Sequence, residues 1–251
     1  MMDYLNDLIY VNKDSFKKTI TSLKSNWLII FTGLVYTFLN IIVYKIIGTL
    51  FVGPLYIISG FISAIVSSSL ISNYLNLLFN IINYNRFSFE DFKSGFTAFL
   101  WKIYGVFFIA YLGQLLLSLV SNILGAGAVV LNFVIWIIVV ILFNPLPEII
   151  YLKYKSPTES ITDSIEFMQE NWLNWLVPNI VFFTILYVVT GNLQFGIFNT
   201  HISFNMIFTL KNIIIYILGQ IIFSFTMIYR GHLFKLLNGS TRRKRMFMNK
   251  F

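Results

Sequence analysis

"AVVLNFVIWIIVVILFNPLPEII", residues 128–150, decides the class of this chain. Its first sixteen residues hold one asparagine and no charge, and two prolines then lead into a glutamate. An apolar run of about 18 residues or more reads as a helix that crosses a bilayer. Similar runs recur along the 251 residues, of which 57% are hydrophobic and 11% charged, with a mean hydropathy of +0.77. A soluble domain carries roughly 25% charged residues, so this chain is too poor in charge to cover a surface that faces water. The expectation is an all-α, polytopic membrane protein.

Three tryptophans set out its plan. Trp27, Trp101 and Trp172 recur at intervals of 74 and 71 residues. Each follows a mixed polar and apolar leader: "SFKKTITSLKSN" (15–26), "SFEDFKSGFTAFL" (88–100) and "SPTESITDSIEFMQEN" (156–171). "SNWL" at 25–28 matches "ENWL" at 170–173, and repetition at a near-constant period implies one structural unit used three times. Each unit reads as an amphipathic helix followed by a helical hairpin, with tryptophan at the headgroup level. "SPTE" is a helix start: Ser156 as N-cap, Pro157 in the first turn, Glu159 completing a capping box. Ser15 and Ser88 suit the same role in the other leaders. Six spans follow, at about 27–48, 54–76, 101–123, 128–150, 172–191 and 210–230, with a basic tail over 240–251. The hairpins turn at "GTLFVGP", "NILGAGA" and a longer "GNLQFGIFNTHISFN", apolar enough to lie in the interface.

Charge sets the orientation. Of the eighteen Lys and Arg residues, only Lys45 and Lys211 fall on the hairpin side; the other sixteen lie with the leaders and termini. By the positive-inside rule both termini and the connectors are cytoplasmic in the cell membrane. The first residues, "MMDYLNDLIYVNKDSF", have no apolar core leading to a small-residue cleavage site, so no cleavable signal peptide is expected.

Polar residues in or near the spans are the candidate sites. Asn73, Asn76, Asn80 and Asn83 recur at steps of three, four and three, so their amides share one helix face. Two readings are open for them: bonds to water or neighbouring helices, or, for Asn73 and Asn76, the lining of a solute path. In "NPLPEII" (144–150), Pro145 and Pro147 should end or bend the fourth span, freeing carbonyls beside Asn144 and Glu148. Glu148 is expected to pair with Lys102 or Arg230, which lie near the same depth; a proton or substrate role is the alternative. Arg242, Arg243, Lys244 and Arg245 form a run suited to anionic lipid headgroups, and no nucleic-acid-binding fold accompanies it.

Catalytic chemistry finds little footing. There is no cysteine, and the two histidines, His201 and His232, are assigned to opposite sides of the bilayer, so no metal site or other cofactor is expected. No H-E-x-x-H, P-loop or G-x-S-x-G occurs. Gly33, Gly105 and Gly219 read as points of close helix approach.

Over 144–180 the pattern is a span ending in prolines and an acid, a Ser-capped amphipathic helix, then an aromatic and the next span. Pro145, Pro147, Glu148, Ser156, Ser160, Ser164 and Trp172 carry it. This resembles the membrane domain found beside some bacterial glycerophosphodiester phosphodiesterases and its stand-alone, YciC-like relatives. The resemblance implies six helices with cytoplasmic amphipathic connectors and carries over no activity, because the catalytic domain of those enzymes is missing. The functional expectation is a non-enzymatic accessory or transport-associated module that acts with a protein partner or as a homo-oligomer. A small transporter or channel is the alternative.

Overall fold

A computed structural model describes residues 2–53, 56–125, 127–194, 196–202, 204, 209–240 and 244–245, apart from the side chains of 2–5 and 57. Among these residues the secondary structure is helical: α1 (Met2–Ser25), α2 (Ile29–Leu50), α3 (Tyr56–Tyr84), α4 (Phe89–Ala98), α5 (Leu100–Leu124), α6 (Gly127–Leu142), α7 (Leu146–Lys153), α8 (Pro157–Thr190) and α9 (Leu210–Asn238). Six segments are long and apolar enough to cross a membrane: α2, most of α3, α4 with α5, α6 with α7, α8, and α9. The chain is a multi-pass membrane protein by that measure. At 1.5 Å per residue α2 is ~33 Å long, close to the ~30 Å of a hydrocarbon core. By the same rise α3 reaches ~43 Å and α8 ~51 Å, so both project past it.

Local chemistry explains several of the helix ends. Ser88 and Ser156 are N-caps, each closing a capping box, with Asp91 and Glu159 respectively. Gly125 and Gly191 end α5 and α8 with φ of 54° and 70°, a left-handed region open to residues without a Cβ. Asn85 ends α3 in the same region, φ 53°, which asparagine tolerates better than most side chains. The Asn26 amide breaks α1 from α2 and pins the α3–α4 connection: it donates to the carbonyls of Ser22 (2.9 Å) and Asn85 (3.1 Å) and accepts from the Phe87 amide (3.1 Å).

Four expectations need correction. Ser15 is no N-cap: α1 begins at Met2, and Ser15 lies buried in its interior, where its carbonyl takes the Thr19 hydroxyl. The third leader is not a separate element, because residues 157–190 form one helix through Trp172 and even through Pro178. The matching "SNWL" and "ENWL" thus adopt different backbones: Asn26 reaches across to the 85–87 connection, whereas Asn171 bonds the Phe167 carbonyl one turn back. The span placed at 210–230 continues to Asn238. The α8–α9 connection turns inward, with Ile202 buried, and Ile197 and Phe198 packed against the core.

Helix α9 is the central post, touching α1, α2, α3, α7 and α8. Close approach depends on small residues there and elsewhere. A Cβ on Gly33 would collide with Gln220, on Gly105 with Pro157, and on Gly219 with Thr190. The tightest docking joins α4 to α3. The polar stripe of α3 reaches carbonyls of α4: Ser69 to Phe96 (2.9 Å), Ser72 to Gly95 (2.7 Å), Asn73 to Phe92 and Asn76 to Asp91 (2.9 Å). Ser72 Oγ also accepts from the Phe99 amide at 2.7 Å. A Cβ on Gly95 would sit 3.2 Å from the Asn73 Cα, so any larger residue would push the two backbones a few tenths of an ångström apart. Gly95→Leu is expected to cost about 1–3 kcal/mol by overpacking and to lower the melting temperature in detergent. Gly48→Leu, where an added Cβ would meet nothing within 4 Å among the described residues, is the matched control and should leave it unchanged.

Candidate functional site

The helix break at 143–145 is where the polar chemistry converges. Pro145 has no amide hydrogen to continue α6, and Leu146 turns its own amide to the Phe143 carbonyl (3.1 Å). Two carbonyls are thereby released, and both find donors from other helices. The Ser164 hydroxyl of α8 takes Leu142 at 2.7 Å, and Arg230 Nη2 of α9 takes Asn144 at 2.6 Å. The Asn144 side chain accepts the indole N–H of Trp175 at 2.8 Å. Pro147 then falls in the first turn of α7, where a missing N–H costs nothing.

One turn on, Glu148 meets Arg230 in a two-pronged pair: Nε to Oε1 at 2.8 Å and Nη2 to Oε2 at 3.0 Å. The side chains are 2% and 3% exposed, so the pair is closed off from its surroundings. Of the two cations expected near Glu148, Arg230 is the one that reaches it; Lys102 lies instead over the Tyr154 ring, 4.8 Å from its centroid. The guanidinium also stands 5.2 Å from the Trp175 ring centroid, a cation–π contact. With a carboxylate, a carbonyl and a ring around it, Arg230 has the dense set of partners that a buried charge requires. The hydroxyls of Tyr74 and Tyr151, within electrostatic reach of the pair, and of Ser224 are buried without a hydrogen-bond partner among the described residues.

The other candidates are spread elsewhere. Asn73 and Asn76 are consumed in docking α4; Asn73 also accepts the Tyr36 hydroxyl at 2.5 Å. Asn80 bonds back to the Asn76 carbonyl, and Asn83 accepts from Lys235 at 2.8 Å. Arg242 and Arg243 lie outside the described residues. Lys244 lines a half-open groove of about 780 Å³ between α8 and the end of α9, together with Lys153, Asp163, Glu166 and Glu170. Arg245 departs from the lipid contact expected of it. It is buried against Asp7 of α1, with both nitrogen–oxygen distances 2.8 Å, and Asn174 of α8 donates to the same carboxylate. At the groove's edge Asp163 bridges Lys153 (3.0 Å) and Lys155 (2.8 Å), and that hydrogen bond raises the Lys155 ammonium above its usual range.

Sequence reading missed Trp175, Ser164's role at the break, and the Asp7 clasp. The first two were within reach of periodicity, since Ser160, Ser164, Phe167, Asn171, Trp175 and Asn179 form the buried face of α8. Nothing local announces Asp7, whose partner is 238 positions away. Among the described residues no three His, Asp or Glu side chains converge on a possible metal position. No family model matches this sequence, and no curated protein and no solved structure is significantly similar to it.

Glu148→Ala leaves a buried guanidinium unpaired and is expected to cost about 3–5 kcal/mol, read as lost folded protein on size exclusion. Replacing both partners by apolar residues of similar size, Glu148→Leu with Arg230→Met, should recover much of that loss. In the α8–α9 connection, burial lowers the His201 imidazole from 6.5 to about 4. Between those values the unfolded chain takes up a proton that the native one refuses, so stability is full above pH 6.5 and falls on acidification towards pH 4. Melting temperature in detergent should drop by a few degrees more over that window in the native chain than in His201→Gln.

Proposed function

We propose that this chain is a non-enzymatic module of the cell membrane that works with partner proteins, in an export, immunity or envelope system. In this reading the six spans form three hairpins, with the termini and amphipathic connectors on the cytoplasmic side. Kinship with the membrane domain beside glycerophosphodiester phosphodiesterases and with the YciC-like proteins belongs to the same proposal, as does contact of Arg242, Arg243 and Lys244 with anionic headgroups.

The closure of the Glu148–Arg230 site carries this reading. Its charges and the carbonyls of the α6–α7 break are spent on one another, as a structural tie requires, while the strongly apolar α5 and α6 turn most of their surface outward. A second reading, a small transporter or channel for a peptide, lipid or other solute, draws on the buried hydroxyls of Tyr74 and Tyr151 beside that pair and on that of Ser224. These are the groups through which a mobile proton or polar solute would pass.

The two separate experimentally. Purified from native membranes in mild detergent, the protein is expected to bring a partner with it. Reconstituted alone, it should pass no peptide or small solute faster than empty vesicles do. Flux above that background, abolished by Glu148→Gln in a variant that still folds, would replace the first reading with the second.

A further inference from the structure

Most amides in the spans are spent inside the chain: Asn73 and Asn76 on α4, Asn144 on Trp175, Asn179 on the Trp175 carbonyl, Gln220 on the Ile202 amide. Asn40, at mid-length in α2, is half-buried on the face that also carries Gly33, Tyr36 and Thr37. Gln114 is different. It is exposed on α5, and no residue of the chain bonds its side chain among those described. At 1.5 Å per residue it lies ~20 Å along the axis from Trp101 and ~17 Å from the Gly125 turn, at the depth of the hydrocarbon centre. Acyl chains offer it neither donor nor acceptor, and an unsatisfied polar group at that depth is costly.

Its setting favours another helix. Ala110 and Ser118, one turn to either side on the same face, are small and exposed, so a second backbone can come close. The Ser118 hydroxyl is turned back to its own helix, onto the Leu115 carbonyl at 2.7 Å, and leaves the approach open. Around them Tyr111, Leu115 and Leu119 are exposed, and the span shared by α4 and α5 is among the least buried in the molecule.

We propose that α5 binds α5 of a second copy of this chain, with the two Gln114 amides bonded to each other across a twofold axis. A primary amide carries a donor and an acceptor, so two related by a twofold axis satisfy each other without any other residue type. The same patch then serves on both copies, as a closed dimer demands. A helix of another protein would need a complementary group of its own; a second copy brings it by symmetry. This inference goes beyond the module reading and stands whether the chain recruits partners or conducts a solute.

The chain has no cysteine, so single sites are simple to introduce. Ser118→Cys, which keeps Gln114, should form a disulfide between copies of the full chain in phosphatidylcholine–phosphatidylglycerol vesicles. Leu112→Cys, on the opposite face of α5, should not. Energy transfer between labelled copies, measured as protein is diluted in lipid, should show Gln114→Leu weakening the dimer roughly 5- to 30-fold and Gln114→Asn preserving it. Gln114→Leu removes an amide from lipid and should fold at least as well as the native chain, which a melting curve checks. Equal transfer in Gln114→Leu and the native chain, no disulfide at Ser118→Cys, or a disulfide to a different protein in native membranes would each overturn the proposal.

Discussion

Inside a bilayer a freed backbone carbonyl has no water to turn to, and this constraint accounts for where many of the polar side chains of the spans are spent. The proline break between α6 and α7 releases Leu142 and Asn144, and Ser164 and Arg230 are there to receive them. Helix α4 lies close to the start of a span, and Ser69, Ser72, Asn73 and Asn76 gather its carbonyls in the same way. In both places a side chain from one helix completes the main chain of another. The packing is therefore specific where lipid-facing apolar contact alone would leave helices free to slide.

Arg230 shows how such demands combine. It neutralises Glu148, caps a stranded carbonyl and faces an indole ring, so one guanidinium fastens α9 to α7 and α8. Burying two charges is expensive, and their mutual attraction repays it only when the remaining valences are filled. Here they are filled by the break itself, which makes the kink and the ion pair parts of a single solution. Because α9 also contacts α1, α2 and α3, the fastening reaches most of the molecule.

Much of this architecture could be read from the sequence wherever the cause is local. Apolar length gave six spans, because the cost of exposing a backbone to lipid is written into every residue of a crossing helix. Ser156 and Glu159 declared a helix start through spacing alone, and so did the prolines at 145 and 147 a helix end. Depth narrowed the partner of Glu148 to two cations, though not to Arg230. The failures have a common origin in distance along the chain. Whether Asn26 or Asn171 interrupts a helix depends on whether a distant segment stands ready to accept its amide, and that segment was 59 positions away from Asn26. The fate of Arg245 turned on Asp7 in the same manner, so a run that looks uniformly basic divides into residues of different burial.

The packing of α1 against α9 also bears on how the protein is made. The Asn12 amide and the Tyr229 hydroxyl that it accepts from are 217 positions apart, and Asp7 and Arg245 are farther still. At 5–20 residues per second a ribosome needs roughly 10 to 40 s to travel between the first pair. Throughout that interval α1 lacks the helix that covers most of its packed face, and that apolar side must shelter in the lipid surface or on a chaperone. The docking of α1 onto α9 is thus a late step that follows insertion and does not guide it.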